Sequence, residues 1–452
     1  MEPLTLTLII GAAVTGFGAL VVKVWKATAA LEQRRTARLD AVCGEVAERL
    51  QLRRPGKLEL AGMFEGFRVH VEHLPGGDGR PSTKVVLSGE RIAPGVRMAR
   101  ESAFSGVQKA LSGEDVLIGQ QSFDRFVQVA GPEDVVLAVL PATIRKSFQA
   151  WVGLGGTLKD GALTCHLPND ETGPERIPAA LQELAGFAKA MAVDSVPAAL
   201  QSNVERDPET GIRLRSLRLL VRDYSRTKQV SAALAAALSD ADPEVVLFAA
   251  HHQVGAAARE ALVKLVANTK VPEELRAAAV ELLAQAHPWP AVRECMSKAL
   301  YTRGATIRRA AVRAAGEAKD AALLDDLVSM LPTQDEDLAE ALASAFQEIG
   351  GPRAEKALIE LLATTEAPPA LKAAAEALGR IGTIAAVEPL MALLEKGLAK
   401  DAARDAVRAI QARLGDVGAG RLSVVEPGAG GGALSLGAEA EGIPADAAKE
   451  RG

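Results

Sequence analysis

A regular spacing of apolar residues in the C-terminal half of the chain restricts its possible folds more than any other feature. The first apolar position of successive helical segments recurs at intervals of 33, 30, 32, 31, 33 and 32 residues. These positions are Ile212, Val245, Leu275, Ile307, Leu338, Leu371 and Ala403. So steady a period predicts stacked helix pairs, a solenoid, because each pair can bury its apolar face only against its neighbours.

Residues 368–397 show how one such repeat is built. The inner face of a first helix is predicted to consist of Leu371, Ala374, Ala375, Leu378 and Ile381. Gly382 is expected to end this helix in the left-handed conformation that glycine accepts. A second helix follows, with its inward face predicted as Val387, Leu390, Met391 and Leu394. The alanines are small because neighbouring repeats must approach closely there.

These residues resemble the HEAT repeat, in the short form that is also found in phycobilisome lyases. The motif is matched by Leu371, Lys372, Ala374, Ala375, Ala377, Leu378, Gly379, Ile381 and Gly382. A second match consists of Ile307, Arg308, Ala310, Ala311, Ala314 and Gly316, and a looser one of Leu275, Arg276, Ala278 and Ala279. The resemblance covers residues 205–415 and implies a mainly α fold with about six and a half helix pairs. It also implies that the second helices line a concave, protein-binding surface.

The N-terminus carries a different signal, a candidate membrane anchor in residues 1–25. The stretch "LTLTLIIGAAVTGFGALVV" at residues 4–22 has nineteen residues without a charge. A helix of that length spans about 28 Å, close to the thickness of the bilayer hydrocarbon. Basic residues follow it and none precedes it, which predicts an N-terminus outside and the rest in the cytoplasm, at the inner membrane of a bacterium. The alternative is a buried core helix.

Residues 26–54 are predicted to form a juxtamembrane helix with an apolar stripe of Leu39, Val42, Cys43, Val46 and Leu50. Residues 55–195 are predicted to form a small α+β domain. Its expected strands are "RVHVEH", "STKVVLSG" and "RFVQVAG", and "TLKDGALTCHL" is expected to be a hairpin with a type I′ turn at Asp160 and Gly161. Helices are expected at 132–140, 141–152 and 177–191. Residues 118–140 weakly resemble uncharacterised bacterial membrane-linked domains, and residues 416–452 are predicted to be disordered.

Candidate residues for chemistry each have a structural explanation that fits better. His70 and His73 lie three apart on a predicted strand and so point to opposite faces. Cys165 and His166 have no ligand pair at metal-binding spacing. The pair His251–His252 lies in a repeat helix, where one is expected to be packed and the other solvated, and Cys295 is expected in the core. No catalytic, cofactor-binding or metal-binding residue is therefore predicted, and no cofactor.

Charge is distributed unevenly along the predicted solenoid. Its start is basic, with Arg213, Arg215, Arg218, Arg222, Arg226 and Lys228. A later part is acidic, with Asp320, Asp325, Asp326, Asp335, Glu336, Asp337 and Glu340. These side chains are either ordinary solvated helix faces, or the basic end docks on the α+β domain or on anionic lipid. The net charge of −5 and an aromatic content of 3% argue against nucleic acid as a partner.

The combination of anchor and repeats predicts a membrane-tethered, non-catalytic interaction scaffold. Its expected partners are a cytoplasmic or membrane-associated protein, and the lipid bilayer through residues 4–22. The alternative is an enzyme or an enzyme helper, either resembling a bilin lyase or with chemistry in the α+β domain. The residues that bind the protein partner are not identified by the sequence.

Overall fold

The computed structural model describes residues 3–74, 81–100, 116–169, 173–331, 333–415, 423–424 and 434–435. The side chains of residues 1–22 and 24 lie outside this description. The chain forms two compact units, Met1–Val245 and Val246–Gly452. The boundary between the two units falls inside residues 205–415, the segment that is predicted to form the solenoid. That these residues form one continuous solenoid therefore stays a prediction.

Helix α1, Pro3–Leu50, begins the first unit. Its buried side chains include Leu39, Val42, Cys43 and Val46, which confirms four of the five residues of the predicted stripe, whereas Leu50 is half-buried. The helix ends before the predicted position 54, because Arg53 exchanges backbone hydrogen bonds of 2.8 and 2.9 Å with Ala61. No helix among the described residues is long and apolar enough to cross a membrane. The anchor predicted at residues 4–22 falls on side chains outside the description.

The α+β domain contains a seven-stranded antiparallel sheet in the order β1-β2-β3-β7-β6-β4-β5. The strands are β1 Glu59–Phe64, β2 Phe67–Leu74, β3 Ser82–Ser88, β4 Arg97–Arg100, β5 Val127–Ala130, β6 Thr157–Lys159 and β7 Ala162–Pro168. The three predicted strands and the hairpin are confirmed, whereas β1 and β4 were not predicted. Asp160 and Gly161 have φ values of 51° and 72°, as a type I′ turn requires.

Four helices complete this domain: α2 Gln121–Asp124, α3 Glu133–Val139, α4 Ala142–Gly153 and α5 Arg176–Ala190. The last three confirm the helices expected at 132–140, 141–152 and 177–191. The rings of Phe148, Trp151 and Phe187 join α4 to α5, with centroids 5.2 to 5.5 Å apart. This cluster lies on the face of the sheet where Val69, Val71 and other alternate residues are buried.

Three further helices end the first unit: α6 Val196–Arg206, α7 Thr210–Asp223 and α8 Lys228–Ala237. Helix α6 was not predicted, and it packs against α3, α7 and α8. The α+β domain thereby covers the apolar face that the first helix pair would otherwise expose. Terminal repeats need such a cap because they have a neighbour on one side only.

The remaining helices are α9 Pro243–His252, α10 Ala256–Ala267, α11 Glu273–Ala286, α12 Trp289–Leu300, α13 Ala305–Glu317, α14 Leu324–Val328, α15 Glu336–Ile349, α16 Gly351–Thr364, α17 Pro368–Ile381, α18 Val387–Glu395 and α19 Lys400–Gly415. From α7 onward the described helices follow one another along the chain in the order of six pairs and one final helix. In the second unit the first helices α11, α13, α15, α17 and α19 pack each on the next. The chain is therefore mainly helical, with solenoid-like stacking and a small sheet domain.

The glycines of the repeat serve close packing and not the predicted left-handed helix end. Gly382 has φ −67° and ψ 151°, which any residue can adopt. A Cβ atom there would lie 2.4 Å from the carbonyl oxygen of Leu378. A Cβ atom at Gly316 would lie 2.6 Å from Cα of Ala345 on the next first helix. The prediction that Gly382 adopts the left-handed conformation is wrong. Glycine is needed at these positions because a Cβ atom would collide with nearby backbone atoms.

The second helix of the repeat also differs in detail from the prediction. Its fully buried side chains are Val387, Leu390 and Leu393, and Leu394 is only half-buried. A 3₁₀ turn at Ile384–Ala386 precedes the helix, and the buried stripe follows an i, i+3, i+6 spacing. Cys295 is half-buried, and its neighbour Met296 fills the core position instead.

Five of the seven described corners that precede first helices have the same type of hydrogen bond. A side-chain oxygen accepts the backbone N–H two residues later, over 2.8 to 3.2 Å, at Asp207, Asp240, Asn268, Thr333 and Thr365. Such turns suit Asp, Asn and Thr because their short side chains reach the backbone locally. The disorder predicted for 416–452 lies outside the described residues, apart from two short paired strands, β8 Ser423–Val424 and β9 Leu434–Ser435.

Candidate docking groove

A groove of about 760 Å³ runs between the first helices α13 and α15 of the second unit, with one residue from α11 at its side. We call it the first-helix groove. Its lining consists of Glu281, Thr306, Arg309, Ala310, Arg313, Gly316, Glu317, Asp337, Glu340, Ala341, Ser344, Ala345 and Glu348. All of these residues come from first helices, none from a second helix.

The floor of the groove is made of small residues. Ala310, Ala341 and Ala345 are buried, and Gly316 brings the two helix backbones together. Short side chains fill the seam between the helices without rising above it. Longer polar side chains stand on either side, and the space between them stays open.

The rim of the groove is acidic. Two arginines, Arg309 and Arg313, stand against five carboxylates, which leaves a net charge of −3. Arg309 forms an ion pair with Asp337, and Glu348 lies 3.6 Å from the amine of Lys319. The other three carboxylates, of Glu281, Glu317 and Glu340, are exposed and form no ion pair within the described part of the chain. The groove thus presents uncompensated negative charge.

Several charged side chains on and beside the second helices have partners nearby. Arg353 pairs with Asp325, and the hydroxyl of Tyr301 donates to Asp326 over 2.7 Å. The Asp320 carboxylate accepts from Arg293 Nε over 2.5 Å and from Trp289 Nε1 over 2.6 Å. Burial raises the pKa of Asp320, but these hydrogen bonds and one from Ala322 N–H outweigh it and hold the pKa below its ordinary value. These carboxylates are therefore already satisfied within the second unit.

The basic start of the predicted solenoid binds the α+β domain, one of its two predicted partners. Arg215 Nε lies 2.5 Å from Glu133 of α3, and Arg222 is 3.8 Å from the same carboxylate. The Tyr224 hydroxyl donates to Asp134 over 2.5 Å. These contacts satisfy part of the basic cluster inside the first unit.

A buried ion pair beneath these contacts was missed by the sequence analysis. The guanidinium of Arg145 on α4 makes two hydrogen bonds, of 2.6 and 2.8 Å, with the carboxylate of Asp207. Their side chains are 4% and 1% exposed. The two residues are 62 positions apart, and only the turn signal Asp207-Pro208 was visible in the sequence.

The residues considered for chemistry do not come together. His70 is exposed and His73 is buried, which confirms that they face opposite sides of β2. Burial raises the pKa of the Cys43 and Cys165 thiols to about 11, so both are protonated at neutral pH. Within the described ranges no three potential metal ligands cluster.

The prediction for the histidine pair on α9 is wrong in part. His251 and His252 are both exposed, and neither is packed in the core. The ring of His252 instead lies against Phe248, with centroids 4.5 Å apart. Residues four apart share one helix side, and here that side faces solvent.

Comparison with known protein families gives a match, and it lies within the repeats. Residues 333–411 match the family described as HEAT repeats. These residues are similar to HEAT repeats. The match includes α15 through most of α19, and so one wall of the first-helix groove. It confirms the HEAT resemblance for this segment, while the lyase subtype has no support.

No curated protein matches the chain. Among solved structures, an engineered protein is similar at 25% identity over 40% of this chain and 95% of that chain, with a TM-score of 0.30. Human deoxyhypusine hydroxylase in complex with glycerol is similar at 16% identity over 48% of this chain and 96% of that chain, with a TM-score of 0.24. Both TM-scores are below 0.5, so neither likeness bears on function.

Proposed function

We propose that this protein is a membrane-tethered, non-catalytic scaffold that binds a protein partner through its HEAT repeats. The observation that carries the proposal is the first-helix groove, which is open, lined by polar side chains and net acidic. Stacked repeats offer extended surfaces of this kind for protein recognition. The proposal places the binding surface on the first helices, and not on the second helices that the family resemblance implies.

The partner segment that fits the groove is basic. Glu281, Glu317 and Glu340 have no ion pair among the described residues, so a lysine or arginine can approach each without displacing another cation. Complementary charge of this type mainly raises the association rate and selects the partner. The small residues of the floor leave room for apolar parts of the same segment to pack against the seam.

A charge reversal in the groove is expected to abolish most partner binding. A photo-reactive residue replacing the exposed Ser344 should cross-link a discrete partner in cells. Adding Glu317→Lys and Glu340→Lys should reduce that cross-link at least tenfold, since two attractive contacts become repulsive. The measurement is the cross-link yield on a denaturing gel, with the partner identified by mass spectrometry.

The matched control makes the same charge change on the second helices. Glu360→Lys and Glu388→Lys alter two exposed carboxylates of α16 and α18, which form no ion pair among the described residues. Both double variants should unfold at the same temperature as the parent, because surface substitutions typically cost less than about 0.5 kcal/mol. Equal cross-link yields in the two double variants would rule out the groove as the docking surface.

The membrane tether in this proposal is the apolar segment at residues 4–22. The segment lies in the first part of α1, and just after it Trp25 is 70% exposed and suits the level of the lipid headgroups. Residues 23–38 are exposed or half-exposed wherever their side chains are described, and Leu39 is the first that is buried. The seventeen residue-to-residue steps of helix from Val22 to Leu39 span about 25 Å. The helix would therefore hold the α+β domain at that distance from the hydrocarbon.

Removing the segment is expected to release the protein from membranes. The full chain should stay in the membrane pellet after a wash with alkaline carbonate, and a chain that starts at Lys23 should be soluble. Alkaline phosphatase fused after Gly415 should be inactive, because the basic flank retains the chain in the cytoplasm. Phosphatase activity in that fusion would contradict the topology, and a soluble full chain would contradict the tether.

A further inference from the structure

A buried polar cluster joins three strands at one end of the sheet in the α+β domain. It consists of His73 on β2, Thr83 on β3 and Asn169, which follows β7; they are 6%, 0% and 4% exposed. Thr83 Oγ1 lies 2.5 Å from His73 Nδ1 and 2.7 Å from Asn169 Oδ1. A polar group buried in this way is retained only when its hydrogen bonds are made.

One arrangement of protons satisfies both of these hydrogen bonds. Thr83 donates its hydroxyl proton to the Asn169 carbonyl oxygen. Its oxygen can then accept from His73, and in that arrangement Nδ1 carries the imidazole proton and Nε2 carries a lone pair. His73 Nε2 is buried and has no hydrogen-bond partner. A second proton would have to bind at this atom, where the described residues provide no acceptor.

Among the described residues, the charged groups around the cluster do not stabilise an imidazolium. Glu72 beside it on β2, Lys84 on β3 and His166 on β7 are in register on the opposite face of the sheet. On β1, Glu59 pairs with Glu72 on that same outer face, and the exposed Lys57 would repel a cation. On α5, which packs against β3 and β7, Glu175 is paired with Arg49, and Glu183 acts on Cys165.

We infer that His73 is an acid-sensitive latch, which holds the ends of β2, β3 and β7 together when neutral and releases them when protonated. The release follows from geometry: an imidazolium here would be a buried charge with a buried N–H group that lacks an acceptor. Separation of the strand ends would let water solvate both the charge and the N–H group. The α+β domain would thus loosen locally when the surrounding pH falls, whether or not the groove binds a partner.

The pH dependence has a defined sign. Burial lowers the pKa of His73 below its ordinary 6.5, although the hydrogen bond in the Asn169 cluster opposes this. The opened state takes up a proton near 6.5 and the closed state does not. The closed state therefore has its full stability above pH 6.5, and loses it as the pH falls below that value. At pH 5.5 the closed-to-open ratio is expected to fall by up to about tenfold.

Hydrogen exchange of the full chain in detergent tests the latch. Protection factors, corrected for the intrinsic effect of pH, should fall about tenfold in residues 67–74 and 82–88 between pH 7.5 and 5.5. The variant His73→Gln cannot take up a proton and should show no such fall, while His70→Gln, an exposed change on the same strand, should behave as the parent does. Equal falls in His73→Gln and the parent would overturn the inference.

A second measurement uses the unmodified protein, so its result does not depend on whether a variant folds. The chain has six histidines, so labelling their Cε1 positions gives six resolvable signals for a titration by nuclear magnetic resonance. The His73 signal should titrate with a midpoint below the ordinary pKa of 6.5. A midpoint at or above 6.5 would also overturn the inference.

Discussion

Replacing Arg145 with alanine is expected to lower the free energy of unfolding of the first unit by about 3–5 kcal/mol. The reason is the Asp207 carboxylate, which is 1% exposed and would be left buried without its countercharge. Arg145 also joins α4 of the α+β domain to the corner that precedes α7. The loss should therefore loosen the attachment of the first helix pair to the domain that caps it.

The protection of α4 amides from hydrogen exchange measures this loss directly. The control is Arg49→Ala, which removes an ion pair with Glu175 whose side chains are 48% and 75% exposed. Exposed pairs contribute about 0.2–1 kcal/mol, so the control should change little. The double variant Arg145→Met with Asp207→Asn should recover part of the stability, because no buried charge remains. Similar costs for Arg145→Ala and Arg49→Ala would contradict the buried-pair argument.

Replacing Gly316 with alanine is expected to destabilise the second unit by about 1–3 kcal/mol, although alanine favours helix. The added Cβ atom would lie 2.6 Å from Cα of Ala345, which is backbone and cannot move alone. The helices α13 and α15 would have to separate, and the floor of the first-helix groove would widen. Partner binding should weaken along with stability.

The same substitution at Gly186 is a matched control with the opposite expected sign. Gly186 lies in the interior of α5, and nothing is within 4 Å of an added Cβ atom. Gly186→Ala should stabilise its helix by about 0.5–1 kcal/mol, because only the entropic cost of glycine is removed. Thermal unfolding followed by circular dichroism compares the two variants. A gain in stability for Gly316→Ala would mean that the two first helices are not in close contact.

The C-terminal helix shows a second way to end a stack of repeats. One side of α19 is buried, with Ala403, Ala406, Val407 and Ile410. The other side is exposed and charged, with Asp401, Arg404, Asp405 and Arg408. A polar outer face on the last helix prevents further stacking and keeps the array soluble. At the N-terminal side of α7 the α+β domain has the capping role instead, and within the first unit it does so through paired charges.

The first-helix groove was harder to predict from the sequence than the repeats were. The acidic residues Asp337 and Glu340 were noticed as part of a charge cluster, but Glu281 and Glu317 were not. A groove depends on which side chains of neighbouring helices meet, and on which charges find partners. Asp337 meets Arg309 across 28 positions, and no local pattern indicates that contact. The sequence therefore showed an excess of acidic residues, without showing which of them line the first-helix groove.

Local patterns in the sequence determined the helix pairs, the I′ hairpin, three strands and the HEAT resemblance, because each depends on residues within about 35 positions of one another. Only the tertiary structure decided the sheet order, the unpredicted α6, the role of the repeat glycines and the first-helix groove. It also decided the burial of Arg145 with Asp207 and of His73 with Thr83 and Asn169. These features depend on contacts between distant segments, where packing and desolvation, and not local preference, set the free energy.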